Sequence, residues 1–196
     1  MYSHMQAMQD VPPNFHLQRI TSENRNVAIT VSDEVLNTGE RFGKRSIFTR
    51  KMSIKLSMTH SVALYHGANI IGGYFFNEGN NIFHELGIRY SKLNWMENNI
   101  SAIKESKRPL IQNLIRVLRR YPGRGIEGVA VFLKQEYRDK GLGRLLINYP
   151  YHHLQENFSY IWGGQEKQLE NLFDWLKRRE LLYDTGDCFY TIGSLR

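Results

Sequence analysis

The chain has 196 residues and is 41% apolar, enough for the core of one sizeable domain, and no run of about 18 apolar residues offers a membrane span. Lysine and arginine outnumber the acids 26 to 19, and the net charge of +7 favours a nucleotide cofactor, RNA, DNA or an acidic protein surface over a polycationic substrate. Cys188 is the one cysteine, which excludes an intrachain disulfide and a multi-cysteine zinc site and fits a reducing cytoplasm.

The opening MYSHMQAMQDVPPNF has neither a basic head nor an apolar stretch, so residues 1–14 read as a flexible, polar lead rather than a secretory signal. Phe15 to Ile20 alternates like a first strand. Thr21 and Ser22 are placed to cap a helix over about 23–37, with Val27, Val31, Val35 and Leu36 at near-helical spacing. Thr38-Gly39-Glu40 breaks that run, and a second helix is expected over 45–58. Two short apolar runs, 61–65 and 70–76, flank His66-Gly67-Ala68-Asn69 and read as a hairpin. In the segment 77–124, a strand is expected over 82–90 and a helix over 108–121, with Pro109 in its first turn. The apolar stripe of that helix is Leu110, Ile111, Leu114, Ile115 and Leu118.

Ile126 to Leu133, rich in β-branched and aromatic residues, reads as a buried strand. Arg138-Asp139-Lys140-Gly141-Leu142-Gly143 follows, and Leu142 opens a helix that Pro150 is expected to kink or end. Phe158 to Trp162 is a further strand, expected to stop at Gly163-Gly164 before a helix over 165–179. Leu181–Tyr183 and Phe189–Ile192 close the chain as a strand pair.

A strand that turns through a basic, glycine-bearing loop into a helix aims backbone amides and the positive helix end at one point, where a phosphate fits. Gly141 and Gly143 let a ligand approach the backbone closely, and Arg138 and Lys140 add charge. The pattern R-x-x-G-x-G within VFLKQEYRDKGLGRLLI resembles the acyl-coenzyme A loop of the GNAT acetyltransferase superfamily. The element order strand, two helices, hairpin also resembles the opening of that fold.

The resemblance implies an α/β domain over 15–196. Its central mixed, mostly antiparallel sheet would have about six to seven strands flanked by helices, with a partly helical insertion at 77–124. It also implies an N-acetyltransferase that moves an acetyl group from acetyl-CoA to a primary amine by direct attack. In that reading Arg138, Asp139, Lys140, Gly141, Leu142, Gly143 and Arg144 hold the diphosphate. Phe132 and Leu133 offer backbone groups to the pantetheine arm, and Asn171 could bond to it. Glu127, early on the key strand, matches the offset of the catalytic glutamate in histone-type members. Its other reading, a solvent-facing or Arg124-paired carboxylate, stays open. The family's proton-donating tyrosine is replaced here by Trp175, whose indole cannot deliver a proton, and Tyr183 is the nearby substitute.

The acceptor is unknown. Glu40 and Glu85 could receive a cationic one. A longer acyl donor is one alternative. A non-catalytic nucleic-acid binder is another, with Arg108, Arg116, Arg119, Arg120 and Arg124 as its footprint. No metal constellation stands out, since His152 and His153 point to different faces of a helix. The expected setting is cytoplasmic, with no membrane association and a homodimer left open.

Overall fold

The computed structural model describes residues 12–37, 60–78, 93–166, 179–184 and 188–196. The strands are β1 (Phe15–Arg19), β2 (Val62–His66), β3 (Asn69–Asn77), β4 (Gly125–Leu133), β5 (Tyr160–Glu166), β6 (Arg179–Asp184) and β7 (Cys188–Ser194). The helices are α1 (Arg25–Asn37), α2 (Leu93–Asn98), α3 (Arg108–Arg120) and α4 (Leu142–His153). The lead at 1–11, the expected helix over 45–58, the expected strand over 82–90 and positions 167–178 lie outside the described residues.

One seven-stranded sheet runs in the order β1-β2-β3-β4-β5-β7-β6. β1 with β2, β2 with β3, β5 with β7 and β6 with β7 are antiparallel. The β4–β5 pairing is parallel and covers Gly125, Ile126 and Glu127. Parallel neighbours need a crossover connection, and α4 supplies it. The sheet is therefore mixed and mostly antiparallel, as expected. The chain divides into two compact units: Met1–Gly79 with Gly128–Leu154, and Asn80–Glu127 with Gln155–Arg196.

In the first unit, α1 buries Ala28, Val31 and Val35 against Ile20, Ala63, Ile70, Phe75 and Phe132. Val27 does not join this stripe. It is 53% exposed, and Ala28 faces the core in its place. Thr21 serves the helix entry as expected, its Oγ1 accepting the Glu23 amide at 3.3 Å and its carbonyl the Arg25 amide at 3.0 Å. Asn24 precedes the helix, accepts the Thr21 amide on its Oδ1 at 2.8 Å and donates to Tyr65 Oη at 3.1 Å.

Gly72 and Gly73 on β3 make close approaches to β4 in this unit. A Cβ at Gly73 would stand 2.7 Å from the Phe132 ring and 2.8 Å from the Val62 carbonyl oxygen. One at Gly72 would stand 2.8 Å from the Phe132 carbonyl oxygen. The glycine pair thus lets Phe132, only 2% exposed, pack closely against β3.

α4 runs through Pro150 to His153 instead of ending there. Proline forfeits one intrahelical bond. Burial of Leu142, Leu146, Ile147, Tyr149, Pro150 and Tyr151 outweighs that loss. Burial also raises the Tyr149 phenol above its ordinary pKa, while the charge and hydrogen bond of Arg19 pull it down.

In the second unit, Leu114, Ile115 and Val117 of α3 pack with Tyr160, Trp162, Leu182 and Ile192. Much of the expected insertion is therefore core rather than appendage. Val117 was not expected in the stripe; the side chains of Leu110 and Leu118 are outside the described residues. β5 does not stop at Gly163-Gly164 but continues to Glu166, and Gly164 lies opposite Tyr190 of β7. A Cβ at Gly164 would come 3.0 Å from the Tyr190 ring, so the ring covers the glycine across the ladder.

Gly73→Ala should cost about 1–3 kcal/mol of stability, because its Cβ meets a backbone oxygen that cannot step aside. Urea unfolding would measure it. Adding Phe132→Leu should return part of the loss, since the two sites touch.

Candidate functional site

The loop between β4 and α4 is built by local hydrogen bonds. The Lys134 amide donates to the Ile71 carbonyl at 2.8 Å, tying the end of β4 to β3. A single 3₁₀ turn, Gln135–Tyr137, follows; the Tyr137 amide donates to Lys134 O and the Arg138 amide to Gln135 O. Arg138 is extended, and Asp139 then takes a left-handed conformation at φ 61°. Aspartate tolerates this better than most residues. Gly141 is left-handed at φ 75° and forms the N-cap of α4. No protein atom lies within 4 Å of where its Cβ would be. Gly141 is thus required here for its backbone angle rather than for room inside the protein.

The start of α4 is electrostatically one-sided. An α-helix leaves its first amides without intrahelical acceptors and carries partial positive charge there. No side chain caps this end, and its first turn holds no acid. Arg144 stands in that turn, and Arg138 and Lys140 precede it with one acid, Asp139, between them, so the cations outnumber the acid three to one. α3 also begins on an arginine, Arg108, with no acid in its first turn, but it adds Arg119 and Arg120 in its last turn, where cations complement the dipole. At α4 the cations and the helix dipole add, and an anion would relieve both.

The basic side chains are not extended into solvent as free phosphate ligands. Arg138 donates from Nε to the Leu133 carbonyl at 3.1 Å, and Lys140 donates from Nζ to the Glu136 carbonyl at 2.9 Å. Lys140 also lies over the Tyr137 ring, 5.5 Å from its centroid. They brace the loop, and their charge stays beside the helix start.

The first unit brings Phe132, Leu133 and Arg138–Arg144 together on one strand-turn-helix segment. The Phe132 carbonyl lies over Gly72, on the β3 side of its strand. By strand alternation Val131 and Leu133 turn their backbone groups to the other edge, and only Leu133 of these two was anticipated. Glu127 belongs to the second unit, half-buried on β4 and opposite Trp162 of β5.

Tyr183 is on β6, opposite Tyr190 of β7. β6 is three places from β4 in the sheet order, a lateral separation of about 14 Å at ordinary strand spacing. Asn171, Trp175, Glu40 and Glu85 lie outside the described residues. Among the described residues no His, Cys, Asp and Glu grouping could hold a metal ion, and no helix is long and apolar enough to cross a membrane.

The arginine cluster expected as a nucleic-acid footprint is largely spoken for. Arg108 donates to the carbonyls of Ile103 and Ser101 at 2.8 and 2.7 Å. Arg119 pairs with Glu97, and Arg120 pairs with Glu180 at 3.1 Å. Arg124 lies over the Phe158 ring, 5.0 Å from its centroid. Arg116 bonds to Asn113 Oδ1 at 2.6 Å. Arg119 and Arg120 are paired with carboxylates, and a phosphate backbone would have to compete with Glu97 and Glu180 for them.

No family sequence model matches this chain, and no curated protein sequence matches it. Solved structures do match its fold. PH1933 from Pyrococcus horikoshii superimposes with a TM-score of 0.59 at 12% identity, over 92% of this chain and 98% of that one. The PaiA N-acetyltransferase from Thermoplasma acidophilum, solved in complex with coenzyme A, gives a TM-score of 0.54 at 10% identity, over 92% and 98%. Arabidopsis thaliana Naa50, in complex with the bisubstrate analogue CoA-Ac-MVNAL, gives 0.52 at 12% identity, over 92% and 99%. At these identities the likeness speaks for architecture: the chain has the GNAT N-acetyltransferase fold.

Arg144→Glu places a carboxylate in the first turn of α4 and should raise stability by about 0.3–1 kcal/mol at low salt. Thermal unfolding at low and high salt would check this, with the gain shrinking as salt rises.

Proposed function

We propose that the protein is an acetyltransferase that carries the acetyl group of acetyl-CoA to a primary amine. The observation that carries the proposal is the start of α4: a left-handed glycine cap, no acid in the first turn, and Arg138, Lys140 and Arg144 around it. That arrangement lacks one component, an anion with several oxygen acceptors. A diphosphate fits it, and the fold is one in which solved relatives hold coenzyme A.

In this reading the amides of Leu142 and Gly143 receive the diphosphate. Asp139, Lys140 and Gly141 line its approach through their backbone. The guanidinium of Arg144 adds charge-assisted bonds. The pantetheine arm lies along the edge of β4 turned away from β3, where Val131 and Leu133 present backbone groups. Acetyl-CoA supplies a thioester whose carbonyl carbon is open to an amine.

Glu127 is the base of this proposal. A half-buried strand carboxylate can accept the ammonium proton, directly or through one water, and leave the nitrogen lone pair free to attack. The C–N bond forms as the C–S bond breaks, the nitrogen passes its second proton to water or to the departing thiolate, and that thiolate has a basicity near that of a cysteine, about pKa 8.5, so it leaves without a strong positioned acid. Much of the acceleration then comes from holding amine and thioester in line.

The test is a calorimetric titration with CoA. One site per chain should appear, and Arg144→Glu should weaken it about tenfold or more, opposite in sign to its effect on stability. A variant that gains stability and keeps full affinity would place the diphosphate elsewhere. Glu127→Gln should lower amine-dependent CoA release about 10²–10⁴-fold across a panel of primary amines, with CoA affinity unchanged.

A further inference from the structure

The tip of the β2–β3 hairpin reaches the start of the phosphate loop. His66, the last residue of β2, places Nδ1 3.1 Å from the Tyr137 hydroxyl, and Tyr137 ends the 3₁₀ turn immediately before Arg138. Phe15 of β1 stacks on His66, with ring centroids 4.6 Å apart and planes inclined by 17°. The same Phe15 meets the Tyr137 ring edge-on at 6.2 Å. Lys140 covers Tyr137 from the loop side.

The hairpin tip is itself pinned. Gly67 turns it at φ +59° and donates its amide to the Asn14 carbonyl at 3.0 Å. In the sheet register Phe15 lies opposite His66 and Asn69 completes the pair across the turn. A fixed part of the sheet therefore grips the ring of a residue whose backbone starts the loop.

We propose that His66 is a positioning residue for the donor: through the Tyr137 hydroxyl it holds the turn that sets where Arg138 to Gly143 place their amides. The inference rests on the coenzyme A reading above and deepens it. His66 touches no diphosphate in this account. It acts on affinity by limiting how far the loop wanders, so that less order has to be imposed when the donor binds. Phe15 contributes by stacking, which keeps the imidazole in the plane where Nδ1 faces Tyr137. Lys140 lies over the same ring, so a residue of the loop itself also packs on its anchor.

Three variants separate the bond from the packing. Tyr137→Phe removes the hydroxyl and keeps the ring. His66→Phe keeps the stack on Phe15 and removes Nδ1. His66→Asn sets an amide near the Nδ1 position and restores a partner for the hydroxyl. CoA affinity is measured by calorimetry, and the melting temperature of each variant is measured without CoA.

Tyr137→Phe and His66→Phe should each weaken CoA about three- to tenfold, the range of one hydrogen bond. The double variant should be no weaker than the weaker single variant, because both remove the same contact. His66→Asn should bind CoA more tightly than His66→Phe. Unchanged affinity in both single variants overturns the proposal, as does full additivity in the double one. A lower melting temperature with unaltered CoA affinity overturns it too, since it shows a contact that serves the fold alone. Absence of CoA binding by the unmutated protein sinks the donor reading and this inference together. Binding by the unmutated protein with variants that bind equally well sinks this inference only.

Discussion

The structure turns on an unanswered charge. The amides and dipole of α4 point out of its start, its first turn holds a cation and no acid, and Arg138 and Lys140 outweigh Asp139 in the turn before it. Such an arrangement costs stability in the free protein. Its persistence makes sense if a ligand supplies the missing charge, since binding free energy then offsets a local loss of folding free energy. The left-handed Gly141 belongs to the same account. A serine or aspartate at the N-cap would satisfy an amide internally, whereas glycine leaves the amides for an external acceptor. In the proposed function, stability and donor binding are opposed at this one turn.

An exposed set of amides is useful only on a rigid base, and the base is made of close backbone approaches. Gly72 and Gly73 let Phe132 lie on β3, and the Lys134 amide ties the end of β4 to Ile71. On the far side of the loop, α4 is seated by Leu142, Leu146 and Ile147, and by a Tyr149 kept neutral by burial while Arg19 donates to it. Both ends of the loop are therefore fixed by core contacts. Its conformational freedom is confined to the stretch from Gln135 to Gly141. This is the stretch that the Arg138 and Lys140 side chains, bonded back to Leu133 and Glu136, hold in place.

Much of this was legible in the sequence, for identifiable reasons. β-branched and aromatic runs bounded by glycine announced β2, β3 and β4, and the R-x-x-G-x-G spacing announced the turn into α4. Local rules failed where tertiary contacts overrode them. Gly163-Gly164 reads as a strand stop, but the Tyr190 ring on the neighbouring strand covers Gly164, and β5 continues. Pro150 reads as a helix stop, but a buried face carries α4 past it. Val27 and Ala28 exchanged roles because a short residue fits closer to the sheet than spacing alone can show. The candidate site divided in the same way. The loop is contiguous and could be read directly. The place of Tyr183 in the sheet needed the strand order, because the nearness of two strands in a sheet is set by topology and not by sequence distance.

Net charge, finally, is a weaker guide than charge placement. The excess of +7 invites a polyanion. Yet Arg119 and Arg120 of α3 face Glu97 and Glu180, and Arg108 is used to close two backbone turns. Exposed pairs of this kind contribute little to stability, about 0–1 kcal/mol each, but they lower the potential an incoming phosphate would meet. The cations around α4 are placed differently. Arg138 and Lys140 are bonded to carbonyl oxygens, which carry no net charge, so their positive charge is undiminished where the helix dipole adds to it. A group that keeps its formal charge while losing its freedom of movement is pre-organised for an anion, and among the described residues that combination coincides with an uncapped helix start at the β4–α4 turn.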